Sequence, residues 1–165
     1  MAGMALTAAD ERWMQEALSE AERAFAAGEV PVGAIVVLQE KIVGRGLNRN
    51  LLDSDPTAHA EVVALRDAAA NIGNHRLVDC ELFATIEPCA MCAGALTHAR
   101  VRRLVYGADD PKAGAVRSVM QVLNHPAMNH RMEVQGGVLA ERCAELLQQF
   151  FQNRRAEQRS GAKRD

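Results

Sequence analysis

The run Pro88-Cys89-Ala90-Met91-Cys92 constrains this chain more than any other. Two cysteines three apart behind a proline predict a helix start that presents both thiolates on one face, where a single metal ion can take them together. Two thiolates leave a tetrahedral site incomplete, so another ligand has to come from elsewhere. Asp55-Pro56-Thr57-Ala58-His59-Ala60-Glu61 offers one. Asp-Pro predicts a turn, Thr57 an N-cap, and His59 a place in the first turn of a helix that carries Val62, Val63, Leu65 and Ala69. The positive ends of both helix dipoles favour thiolate over thiol at Cys89 and Cys92.

His59, Cys89 and Cys92 leave the fourth vertex open, which is the mark of a catalytic rather than a structural zinc. Cys143 stands among Leu139, Leu146, Leu147 and Phe150, and Cys80 precedes a strand, so both read as core thiols. Glu61, two residues past His59, is too far round the helix to share the coordination sphere comfortably, yet close enough to reach a water on the metal. Separately, a Cys-x-x-Cys is compatible with a redox pair, and a lone helical histidine with a satisfied core residue. Together, His-x-Glu and Pro-Cys-x-x-Cys compose the signature of the zinc deaminases.

The 165 residues suit one domain, 1–165, with nearly half the side chains hydrophobic. No apolar run reaches membrane-spanning length and Met1-Ala2-Gly3-Met4 does not open a leader peptide, so a cytoplasmic protein without a membrane partner is expected. Four cysteines, two of them assigned to metal, fit a reducing compartment. The net charge of -2 does not announce a nucleic-acid binder, but its distribution is uneven. The segment up to Glu40 has only Arg12 and Arg23 as bases, whereas the end carries Arg154, Arg155, Arg159, Lys163 and Arg164. All the bases except Lys41, Lys112 and Lys163 are arginine, the residue suited to bidentate phosphate contacts. Residues 156–165 are expected to form a frayed basic tail, and a solvated helix end explains those arginines equally well.

Thr7 caps a predicted first helix that Gly28 closes. Val32–Leu38 and Ile42–Leu47 form a hairpin about Gln39-Glu40-Lys41, Leu82–Ile86 leads into the Cys89 helix, Arg103–Tyr106 and Met132–Gln135 are further strands, and a closing helix starts near Leu139. Alternating helices and short apolar strands give an α/β layered domain with a mixed central sheet. Gly107–Arg131, rich in turn residues, is where substrate loops are expected.

Three runs, Asp55–Glu61, Glu87–Ala95 and His125-Pro126-Ala127-Met128-Asn129-His130-Arg131, resemble the bacterial tRNA-specific adenosine deaminase family, a branch of the cytidine deaminase superfamily. The resemblance runs from the first helix to about Arg155 and takes in Val30–Ala34 and Tyr106–Lys112. It implies a three-layer α/β/α sandwich with a central mixed five-stranded sheet, one zinc per subunit, a homodimer with its sites near the interface, and the wobble adenosine of a tRNA anticodon stem-loop as substrate. It implies a nucleoside contact for Asn48, and anticodon-loop contacts for Asp110, Lys112, Ser118, His125, Asn129, His130 and Arg154. Arg117 departs from the family's usual small residue and receives no role. In the expected mechanism zinc lowers the pKa of its water to about 7, Glu61 takes the proton, and the same carboxylate returns it to the purine ring and the leaving amine. A deaminase of free nucleosides, nucleotides or bases shares this chemistry, and a zinc-stabilised RNA-binding module without catalysis stands as a reading from another class.

Overall fold

The computed structural model describes residues 7–162. Helix α1 (Ala8–Ala26) leads into strands β1 (Gly33–Leu38) and β2 (Lys41–Leu47), followed by α2 (Ala60–Ile72), β3 (Glu81–Ile86), α3 (Ala90–Ala99) and β4 (Arg103–Ala108). A 3-10 turn at Val122–Asn124, strand β5 (Glu133–Gln135) and helix α4 (Ala140–Ala162) complete the chain. The strands form one mixed sheet in the order β2-β1-β3-β4-β5, with β1 antiparallel to both neighbours and β3, β4 and β5 parallel.

The central strands are buried on both faces, and their side chains alternate between two cores. Ala34, Val36, Leu82, Ala84, Leu104 and Tyr106 pack beneath α2 and α3. Ile35, Val37, Phe83 and Val105 face Met14 and Leu18 of α1 and Cys143 of α4. The result is the expected α/β/α sandwich, and both Cys80 and Cys143 are core thiols. Strand and helix limits fall within a residue or two of those predicted. The hairpin turn is tighter than predicted: Gln39 and Glu40 both adopt positive φ, as a type I′ turn requires, and Lys41 already pairs with Leu38.

Thr7 caps α1 as predicted, its hydroxyl accepting the Asp10 N–H at 3.1 Å while the Asp10 carboxylate accepts the Thr7 N–H. Asp10 has a second partner. Its two oxygens receive Arg103 Nη1 and Nη2 at 2.8 and 2.9 Å, a buried fork that ties α1 to β4. The Arg103 hydrogen bond holds the Asp10 carboxyl below its ordinary value despite burial.

Helix α2 comes down onto β2 backbone to backbone at two glycines. A Cβ on Gly46 would stand 2.2 Å from the Ala60 carbonyl oxygen, and one on Gly44 2.5 Å from that of Ala64. Thr57 does not cap α2, a correction to the sequence reading. Its N–H and hydroxyl both donate to Asp55 Oδ1, at 2.8 and 2.7 Å, and the N-cap position passes to His59. The basic segment expected to fray from about residue 156 is helical to Ala162; Lys163–Asp165 lie outside the described residues, as do Met1–Leu6.

Candidate metal centre and active site

The C-terminal ends of β2, β3 and β4 open at one edge of the sheet, since Leu47 pairs with Gly33, Ala84 with Ala34, and Ile86 with Ala108. That edge receives Asn48, the Glu87-to-Cys89 turn and Asp109, and both α2 and α3 begin there. His59 is the N-cap of α2 and Cys89 the N-cap of α3, both in extended conformation and neither spending its side chain on a cap hydrogen bond. Cys92 lies one turn into α3, on the face that looks back at His59. The Sγ atoms of Cys89 and Cys92 each lie 3.5 Å from His59 Nδ1, and the potential ligand atoms all lie within 4.8 Å of one another.

These groups lie close enough to share protons. Hydrogen bonding to Cys92 and His59 lowers the Cys89 thiol to about 3, whereas sharing with Cys89 and burial push Cys92 up. The Cys89 thiolate in turn raises His59. Two sulfurs and an imidazole at this spacing form a ligand set able to hold a metal ion. Glu61, only 3% exposed, sits behind them and burial raises its carboxyl above the ordinary range, the tuning expected of a proton shuttle.

A cavity of about 820 Å³ opens over this cluster, within the range for ligand sites. His59, Glu61 and Cys89 lie in its wall, together with Asn48 and the apolar Val30, Val32, Ile86, Leu147 and Phe151. Cys92 is fully buried behind it. Of the other residues named from sequence, Asp110, Lys112 and Arg154 line the cavity. Ser118, His125, Asn129 and His130 are not among its lining residues. The Ser118 hydroxyl donates to Glu87, His125 Nδ1 accepts the Ala127 N–H at 3.1 Å, His130 Nε2 donates to the Val101 carbonyl at 2.6 Å, and Asn129 is exposed on the same loop. Phe151 is 45% exposed and packs edge-on against Phe150 with ring centres 5.5 Å apart, while Phe150 packs edge-on against Phe25 at 5.7 Å. Arg154 stacks over Phe150 at 5.0 Å and donates to the Gly28 carbonyl at 2.8 Å.

Glu87 escaped the sequence reading. Its carboxylate, 1% exposed, accepts the N–H groups of Asp110, Val116, Arg117 and Ser118 as well as the Ser118 hydroxyl. Burial alone would raise its pKa, but these donors outweigh it and hold the group at about 2. Gly114 is forced by the same arrangement, because a Cβ there would come within 2.4 Å of the carboxylate. The one sequence signal was an acid at the end of an otherwise apolar strand. Asn50 was also missed; it lines the cavity and donates to the Asp55 carbonyl at 2.8 Å. Arg117, left without a role, grips Asp109 through Nε and Nη2 at 3.1 and 2.7 Å.

A His-Cys-Cys cluster between two helix starts, a buried carboxylate beside it and a cavity above define a deaminase domain, and residues 8–155 match the MafB19-like deaminase family. Among known proteins, the tRNA-specific adenosine deaminase of Haemophilus influenzae is 50% identical over 151 residues, 91% of this chain and 87% of that protein. That of Agrobacterium fabrum is 43% identical over 87% of this chain and 94% of its own. A solved tRNA:A34 deaminase, studied for A-to-I editing at the wobble position of transfer RNA, superposes with a TM-score of 0.80 at 42% identity, covering 82% of this chain and 98% of its own. The guanine deaminase from Nitrosomonas europaea superposes at 0.73 with 27% identity, covering 88% and 86%. The chain belongs to the tRNA-specific adenosine deaminase family.

Proposed function

We propose that this enzyme converts the wobble adenosine of a tRNA anticodon to inosine by zinc-dependent hydrolysis. The observation that carries the reading is the convergence of His59, Cys89 and Cys92 with the buried Glu61 on the wall of one cavity. His59 Nδ1 and the two sulfurs would hold zinc, the metal that such a set suits best. Bound zinc supplies Lewis acidity, which makes water nucleophilic near neutral pH.

The chain's own residues supply the rest. Glu61, its affinity for a proton raised by burial, takes one from the attacking water and delivers it to the ring nitrogen beside the amine-bearing carbon. A second transfer through the same carboxylate lets the amine leave as ammonia. Asn48, 7% exposed at the end of β2, stands where it can hydrogen-bond the nucleoside. The base has to leave its stack to enter, and an anticodon loop offers bases already splayed. Phe151 supplies an apolar face at the mouth, and Lys112, Arg154 and Arg155 supply positive charge along it. Ser118, His125, Asn129 and His130 act, on this reading, by shaping the loop beyond the cavity or meeting RNA outside it.

The reading includes cytoplasmic RNA binding by a single domain and a homodimer. Val119 and Met120, exposed apolar residues just past the cavity loop, support such an interface. Among the described residues no helix is long and apolar enough to cross a membrane.

The test is inosine formation on a synthetic anticodon stem-loop with a wobble adenosine, alongside free adenosine, cytidine, deoxycytidylate and guanine. Deamination confined to the stem-loop is expected. Turnover of a free base or nucleotide with the stem-loop untouched would instead place the substrate among small molecules.

A further inference from the structure

The cavity wall carries four carboxylates, Glu61, Glu87, Asp109 and Asp110, an acidic lining for a site that takes a polyanion. Two of these are compensated by backbone. Glu87 is wrapped in loop N–H groups, and Asp110 Oδ1 accepts the N–H of Lys112 and of Ala113 at 3.0 and 3.2 Å. Glu61 is buried beside the histidine. Asp109 is different: it is half exposed at the mouth, and its charge is met by a side-chain cation, the Arg117 fork at 2.7 and 3.1 Å. Arg117 is itself 63% exposed, so the pair stands in water, where such pairs add little to stability.

We infer that Asp109 and Arg117 mask each other from RNA. Arg117 keeps the Asp109 charge from repelling phosphates at the mouth, and Asp109 keeps the guanidinium from serving as a further phosphate contact. The geometry favours this over a plain loop clamp, because Glu87 beneath already fixes the loop by binding the Asp110 and Arg117 N–H groups. The fork occupies the Nε and Nη2 edge of the guanidinium, the edge that would otherwise grip a phosphate bidentately. The pair therefore sets the affinity of the mouth for a polyanion. This rests on the RNA reading proposed above.

The experiment measures stem-loop binding by fluorescence anisotropy over a range of salt, with KM on the same RNA, for the zinc-loaded parent, Arg117→Ala, Asp109→Ala and the double variant. Arg117→Ala should weaken binding about fivefold, the worth of one exposed charge near a phosphate. Asp109→Ala should strengthen it by a similar factor and steepen the salt slope by about 0.7, as one more cation meets the strand. The double variant should return close to the parent. If both single variants weaken binding, the pair is a clamp and the inference is wrong. If the double variant stays as weak as Arg117→Ala, the arginine contacts RNA directly and the inference is equally wrong. A parent that neither binds nor deaminates the stem-loop sinks the RNA reading along with it, whereas normal parent activity with either adverse pattern removes the masking alone.

Discussion

The carboxylate of Glu87 accepts the N–H of Ser118, 31 residues further along the chain, at 3.0 Å. The same group takes the Asp110, Val116 and Arg117 N–H groups, so the acid two residues before Cys89 also moulds the loop that walls the cavity. Glu87→Gln keeps the size but replaces an acceptor oxygen by an NH2 group that faces N–H donors. Leaving such donors unmet costs about 1–3 kcal/mol each. We expect a loss in that range or above by urea denaturation and, on the proposed reading in which this loop meets substrate, a larger rise in KM than fall in kcat.

On the proposed reading Glu61 moves protons without completing the ligand set. Glu61→Gln should keep a full complement of metal by atomic absorption while turnover falls by about two to four orders of magnitude, the scale of a lost acid–base group. His59→Ala should lose metal and activity together. Turnover near the parent rate in Glu61→Gln would remove the proton-shuttle role.

Gly46→Ala drives a methyl group to 2.2 Å from the Ala60 carbonyl oxygen, and backbone cannot step aside as a side chain can. A loss of at least about 1–3 kcal/mol is expected, as for overpacked cores, with weakened metal binding because Ala60 follows His59. Gly94→Ala is the matching control. Nothing lies within 4 Å of its Cβ position, and an alanine in a helix gains about 0.5–1 kcal/mol over glycine. Thermal melts of the two variants should move in opposite directions.

The buried fork between Asp10 and Arg103 has a pH signature. The folded state lowers the Asp10 carboxyl below 3.8, so its contribution is complete above that value and is lost as pH falls through the lowered folded value. Asp10→Ala leaves Arg103 buried without that partner and should cost about 3–5 kcal/mol at neutral pH, flattening the acid limb of the stability profile. Urea midpoints between neutral pH and about pH 3 check both statements.

Much of this was legible in the sequence where the cause is local. The buried strands read as apolar runs, Thr7 and Gly28 bracket α1, and the His-x-Glu and Cys-x-x-Cys spacings fix which side chains a helix start can present together. What stayed hidden depends on distant partners. Thr57 looked like a cap until Asp55 was seen to hold its hydroxyl. Arg103 reads as a surface base unless Asp10, 93 residues away, is known to meet it. Glu87 acts through backbone N–H groups, which carry no residue identity, so no motif could point to its loop. The departure at Arg117 was visible, but its partner Asp109 only emerged from the folded loop.

The ligand set is split along the chain, and that split orders events during synthesis. Cys92 follows His59 by 33 residues, which a ribosome adds in about two to seven seconds. During that interval His59 has no sulfur partner, since both Cys89 and Cys92 lie further along the chain. On the metal-dependent reading proposed above, loading waits for β3 and α3, and a nascent chain cut short before Cys89 lacks both sulfurs that would join His59.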